Sequence, residues 1–187
     1  MIKLLLLIIF TTNVIISKSQ DIEFFREDIT FKISKTYFNV DGLYYFCNVS
    51  NKNLDKIIYY PFPIDSLYGN IDSVFVETED SLQIKFINNQ NKGIYIKIHI
   101  EDYGIKKIRI KYRQQIYKNK AEYILTTTKY WKKPFEIVNY KLIVPKEINI
   151  SSISYRENSV YTTKSKRIYL WQKKDFMPTK NMIISFE

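Results

Sequence analysis

An all-β fold, a single antiparallel β-sandwich of many short strands with little or no helix, is what this sequence predicts, on three observations. Apolar and polar residues alternate with a period of two from Thr30 onward, turn-forming residues recur about every 8–12 positions, and no long segment repeats at helical spacing. Successive side chains of a strand leave opposite faces of a sheet, so alternation marks a strand with one face buried. Apolar residues at 45% and aromatics at 16% supply the material for a core between two sheets.

Residues 1–19 come first and read as an export signal peptide. Lys3 supplies a short positive start, Leu4 to Phe10 are apolar without a break, and Val14, Ile15 and Ile16 resume the run. Ser17 and Ser19 place small residues at the cleavage positions before Gln20. A retained membrane span needs about 20 apolar residues, and this run is about 13, interrupted by Thr11, Thr12 and Asn13. No cysteine follows directly to carry a lipid, and no later segment reaches spanning length. The mature chain, 20–187, is therefore expected to be one domain, secreted or held in the periplasm or cell envelope, with no transmembrane segment. Loss of Lys3 and Lys18 lowers its formal charge from +10 to +8.

Along the mature chain, residues 21–28 predict a short helical or irregular lead-in. Strands follow near 31–38 and 43–50 around an Asp41-Gly42 turn, then near 57–60, 73–78 and 82–86. The clearest alternation sets Ile94, Ile96, Ile98 and Ile100 against Tyr95, Lys97, His99 and Glu101. Next, Ile108, Ile110 and Tyr112 alternate with Lys107, Arg109, Lys111 and Arg113. Later strands fall near 121–127, 137–144, 150–155, 167–172 and 182–186. The chain has only four glycines, so Asn and Asp are expected to supply left-handed turn residues. Tyr60-Pro61-Phe62-Pro63 contains two residues without a ladder donor and predicts an edge strand or a covering loop. Tyr130-Trp131-Lys132-Lys133-Pro134 predicts a corner carrying an aromatic plug. Cys47, the single cysteine, shares an alternating face with Leu43, Tyr45 and Val49 and is expected to be a small buried hydrophobe.

The order of these features resembles a group of secreted bacterial β-sandwich proteins of unknown function. The matching pieces are Val40-Asp41-Gly42-Leu43-Tyr44-Tyr45-Phe46 leading to Asn51, then Tyr60-Pro61-Phe62-Pro63. Later come Tyr123-Ile124-Leu125-Thr126-Thr127 with Trp131, and Trp171 with Phe176-Met177-Pro178. The resemblance covers most of the mature chain and implies a β-sandwich in an envelope or extracellular setting. It brings no catalytic signature and no active site.

Composition narrows the chemistry further. One His and one Cys remove most zinc sites, disulfide frameworks and Cys–His or Ser–His catalytic pairs. No phosphate-cradling glycine motif is present, and no cofactor is indicated. The acids Glu77, Glu79 and Asp80, and Glu101 with Asp102, fall at hairpin ends rather than facing each other across a cleft. Asn48-Val49-Ser50 and Asn149-Ile150-Ser151 match a glycosylation pattern that matters only in a eukaryotic secretory pathway. Trp131 and Trp171 are candidate aromatic contacts for a sugar, weighed against a role in core packing.

One surface stands out as a candidate binding site. If residues 95–101 and 107–113 pair as a hairpin with Glu101 opposite Lys107, then His99 faces Arg109, Lys97 faces Lys111 and Tyr95 faces Arg113. The outer face then carries Lys97, Lys107, Arg109, Lys111 and Arg113 beside His99, with one acid. Either acids on a neighbouring strand neutralise it, or it meets an anionic partner such as lipid phosphate, acidic polysaccharide or an acidic protein surface. Nucleic acid is not expected as a partner for an exported chain. The sequence thus predicts a non-enzymatic binding or structural protein of the cell envelope. The alternative is a carbohydrate-binding or hydrolytic accessory domain using exposed aromatics and carboxylates.

Overall fold

Two twelve-residue strands, β1 (Ile22–Ile33) and β2 (Tyr37–Asn48), form the spine of the molecule. They belong to a computed structural model that describes residues 21–90 and 92–187, so the predicted signal peptide lies outside the described residues. The chain continues through β3 (Leu54–Pro61), β4 (Ile71–Thr78), β5 (Phe86–Asn88), β6 (Gly93–Ile100), β7 (Ile105–Gln115) and β8 (Lys120–Tyr123). A 3-10 helix (Thr126–Trp131) precedes β9 (Phe135–Pro145), β10 (Ile150–Ile153), β11 (Ser159–Thr162), β12 (Lys166–Phe176) and β13 (Met182–Phe186). A seven-stranded sheet runs in the order β11-β12-β9-β1-β2-β7-β4, and two three-stranded sheets run β3-β6-β5 and β10-β13-β8. Both small sheets pack on one face of the large one, as the expected all-β sandwich requires. Phe31 of the large sheet meets Tyr123, while Tyr44 and Tyr112 meet Tyr60 and Phe62.

The apolar half of each alternation lines this interface. Ile94, Ile96, Ile98 and Ile100 are all buried, as are Ile108, Ile110 and Tyr112. These two rows do not sit side by side. Strand β6 pairs with β3 and β5, while β7 pairs with β2 and β4, so the predicted hairpin between them does not form. The turn after Ile100 carries the chain from one layer to the other. Asn48 pins that corner, because its amide donates to the Lys52 and Glu101 carbonyls and its backbone N–H donates to Gly104. Alternation reports only which face is buried, and two isoleucine rows meet equally well across a core or along a sheet.

Other departures share that cause. Residues 22–28 belong to β1 rather than to a helical lead-in, and the predicted strand over 31–38 straddles the turn at residues 34–36. Asp41-Gly42 lies mid-strand in β2. There Gly42 makes room: a Cβ would sit 2.3 Å from the Tyr44 hydroxyl and 2.7 Å from Ile29 Cδ1. Strand β2 carries apolar residues on both faces, so its phase was ambiguous. Phe38, Val40, Tyr44 and Phe46 point inward, which leaves Cys47 half-buried on the opposite face with its thiol toward the Asn48 carbonyl. Strands β1 and β9 pair in parallel within an otherwise antiparallel sheet, a matter of long-range connection that local patterning cannot show. Strand β3 is an edge strand, as its proline end predicts. Apart from Asp41-Gly42, the turns fall where the sequence places them, but Ser81, Gln90, Tyr103, Lys118 and Lys132 take the left-handed backbone as well as Asn119 and Asp175.

Candidate functional site

The predicted basic residues all meet carboxylates. Arg109 forms a two-pronged bond to Asp41, with Nε 2.7 Å and an Nη 2.8 Å from its oxygens. Lys111 reaches Glu77, Arg113 reaches Asp72 at 2.8 Å, and Lys107 reaches Glu79 at 2.8 Å. On the small sheet, Lys97 and His99 both approach Asp55, at 3.7 and 3.4 Å. Their outward orientation matches expectation, but β2, β3, β4 and the turn after β4 supply the acids that a β6–β7 hairpin would have lacked. The five cations and one acid of the predicted face are therefore not brought together. Trp171 is buried at 2% exposure and donates its indole N–H to the Tyr155 carbonyl, so it is a core residue rather than a surface contact.

Trp131 leads to a different place. It ends the 3-10 helix and packs on Phe24 and Phe46, each ring centroid 5.7 Å away. Beneath it, between the large sheet and the strands β3 and β6, lies a pocket. Its partly exposed rim includes Ile58, Tyr59, Pro61, Ile124, Thr127 and Trp131, and its buried floor includes Glu27, Tyr44 and Tyr123. The centre of a water-sized sphere can roam about 60 Å³ there. A single water needs about 10–15 Å³ on that measure, so the pocket suits a small molecule and not a polysaccharide chain.

A β-bulge puts Glu27 in the pocket. Phe24 pairs with Phe46 and Arg26 with Tyr45, so Phe25 is an extra residue in β1. Phe25 and Arg26 both turn outward, where Phe25 and Arg26 each meet the Tyr45 ring, and this brings both Phe24 and Glu27 inward. The Glu27 side chain is then 2% exposed. It accepts hydrogen bonds from Tyr140 and from Tyr123, the latter at 3.0 Å. Tyr123 lies 3.2 Å from the Tyr44 hydroxyl, which lies 2.7 Å from that of Tyr60. A phenol has one proton, so a Tyr123 that donates to Glu27 must accept from Tyr44, and Tyr44 from Tyr60. All four protons run toward Glu27 when its carboxyl is ionised.

No Lys, Arg or His forms an ion pair with Glu27 among the described residues. Burial pushes its carboxyl up to about 7, against the downward pull of the Tyr140 and Tyr123 bonds, and the charge on Asp28 adds to the rise. Burial likewise holds Tyr44, Tyr60, Tyr123 and Tyr140 well above the ordinary phenol value, so they remain donors. Among the described residues no cluster of three or more metal-ligating side chains occurs. Sequence reasoning singled out Trp131 and missed Glu27 and its tyrosines. Glu27 lies three residues from the inward Phe24, and that odd spacing hides a shared face unless the bulge is known.

Residues 97–184 match a family described as a domain of unknown function, DUF4424. The match spans just under half of the chain and includes Tyr123, Trp131 and Tyr140, but not Glu27. No curated protein sequence matches the chain. Among solved structures, a Legionella pneumophila protein provisionally named a nutrient binding protein is similar at 15% identity and a TM-score of 0.72. The alignment covers 89% of this chain and 67% of that one. An M1 zinc metallopeptidase from Deinococcus radiodurans is similar at 8% identity and a TM-score of 0.55, over 89% of this chain and 43% of the peptidase. These are likenesses of fold. The chain spans about two thirds of the first protein and less than half of the second.

Proposed function

We propose that the protein is an exported, non-enzymatic binding protein of the cell envelope, and that a small ligand enters the pocket beneath Trp131. The observation that carries this reading is a ring-lined space ending on a buried carboxyl, with polar groups converging at one point of an otherwise apolar lining. The floor offers phenols held in their protonated form as hydrogen-bond donors around one carboxyl, an arrangement suited to recognition. The likeness to a Legionella protein with a nutrient-binding name supports the same direction at the level of fold. An anionic partner on Lys97, His99, Lys107, Arg109, Lys111 and Arg113 would first have to displace Asp55, Glu79, Asp41, Glu77 and Asp72, so the pocket is the better-supported site.

Thermal-shift measurements with panels of sugars, organic acids, amino acids and amines test the pocket, run on the wild type beside an Ile58→Trp variant that fills its rim. At least one panel should stabilise the wild type and leave the variant unmoved. Equal responses throughout would remove the pocket as a ligand site. Export is tested separately by amino-terminal sequencing, which should find the mature chain starting within a few residues of Gln20. An intact Met1 on protein recovered from membranes would contradict it.

A further inference from the structure

The interior of the pocket holds a carboxyl with donors but no counter-charge. An ionised carboxylate accepts at about four lone-pair sites, and Glu27 uses two of them for Tyr140 and Tyr123. The hydroxyls of Tyr123 and Tyr140 both reach Glu27 and can donate to its ionised form, with Tyr44 and Tyr60 next in the same chain of phenols. Burying a charge is costly unless it is paired, and among the described residues no Lys, Arg or His supplies the pair. Around the remaining space stand aromatic rings. Phe24 packs on Phe46 at 4.9 Å and against Trp131 at 5.7 Å, with Tyr44 beside it at 6.0 Å, and Tyr60 of the opposing sheet meets Tyr44 at 5.4 Å. Ring faces attract cations, most strongly where water is excluded.

We propose that this pocket binds a small organic ammonium, its nitrogen and methyl or alkyl groups held among Phe24, Phe46, Trp131 and Tyr60 with Glu27 as the counter-ion. The inference rests on the reading of the pocket as a ligand site and adds the ligand's chemical class. A sugar would need hydrogen-bonding groups spread over the walls, which apart from Thr127, Thr128 and the tyrosine hydroxyls are rings, isoleucines and Pro61. An organic acid would meet Glu27 as a like charge. A substituted ammonium satisfies both halves of the site, with apolar groups for the rings and positive charge for the carboxylate. Groups facing Glu27 are Tyr44 of β2, Tyr60 of β3, Tyr123 of β8 and Tyr140 of β9, with Asp28 next to it on β1; strands β6 and β7 present only Ile96, Ile108 and Ile110 to the pocket. The phenols do not titrate near neutrality, so ammonium affinity should follow the Glu27 carboxylate and weaken as pH falls through about 7.

Calorimetric titration of the full mature protein with tetramethylammonium, choline and 3,3-dimethyl-1-butanol tests this directly, since the last is the uncharged carbon analogue of choline. Above pH 7 the wild type should bind both cations at least about tenfold more tightly than the neutral analogue. Glu27→Gln should erase that preference and leave the neutral analogue unchanged, whereas Trp131→Ala should weaken all three. Equal binding of choline and its neutral analogue by the wild type, or no binding of either cation, overturns the proposal without need of any variant. If another panel still stabilises the wild type over Ile58→Trp, the pocket remains a ligand site and only the ammonium assignment falls. If none does, both fall.

Discussion

Glu27 and Asp28 are neighbours in sequence and face opposite sides of one sheet, and the protein treats their carboxyls in opposite ways. Asp28 accepts a two-pronged bond from Arg26 and further bonds from Tyr45 and Asn139. Burial alone would raise it, but those bonds outweigh burial and hold it below its ordinary value. Glu27 meets phenols and no cation, and burial prevails. The comparison shows that hydrogen bonds alone do not replace a counter-charge for a buried carboxyl. It also separates two kinds of electrostatic feature in this fold. The outer face is a set of exposed pairs that neutralise one another, whereas the inner face keeps one carboxyl unmatched beside an open space.

The largest expected effect breaks this contrast at Glu27. Its folded-state value lies above the ordinary 4.5, so its contribution is most favourable below that value and is lost as pH rises toward 7. Urea unfolding across that window should show the wild type losing on the order of 3 kcal/mol relative to Glu27→Gln, in which the titrating group is gone. A smaller change targets the support of the network. Gly42→Ala places a methyl against the Tyr44 hydroxyl and Ile29, and unfolding measurements should show a cost of about 1–3 kcal/mol. On the other side of the sheet, Asp28 has the opposite sign, since its stabilisation is present above its ordinary value and lost as pH falls. Asp28→Asn should therefore cost about 1 kcal/mol at neutral pH and less in acid, seen in the same urea series. The smallest effect belongs to the exposed pairs. A double-mutant cycle on Arg109 and Asp41 should give a coupling of about 0.2–1 kcal/mol that shrinks with salt.

Much of the fold was legible because burial follows a period of two. The isoleucines of β6 and β7, the tyrosine and leucine of β9 and the ends of β13 fall where alternation puts them. What alternation cannot carry is partner choice. The same isoleucine rows serve a hairpin or two facing sheets, and only the Asn48-pinned corner after Ile100 decides between them. The site was less legible still. Trp131 was visible as an aromatic corner, but Glu27 stood in a charged stretch, Ile22–Ile33, whose alternation is broken by the bulge at Phe25. Gly42 read as a turn because glycine usually marks one, whereas here its missing Cβ admits the Tyr44 ring.

The central claim is that Glu27 is a buried carboxyl without a counter-ion among the described residues, next to a pocket that can receive one. Nuclear magnetic resonance titration of the Glu27 carboxyl carbon reads this directly, with Glu27→Gln identifying the signal. The account predicts a midpoint near 7 in the free protein, moving downward when choline is added. A midpoint in the ordinary carboxylate range of about 4–5, unmoved by choline, would contradict it.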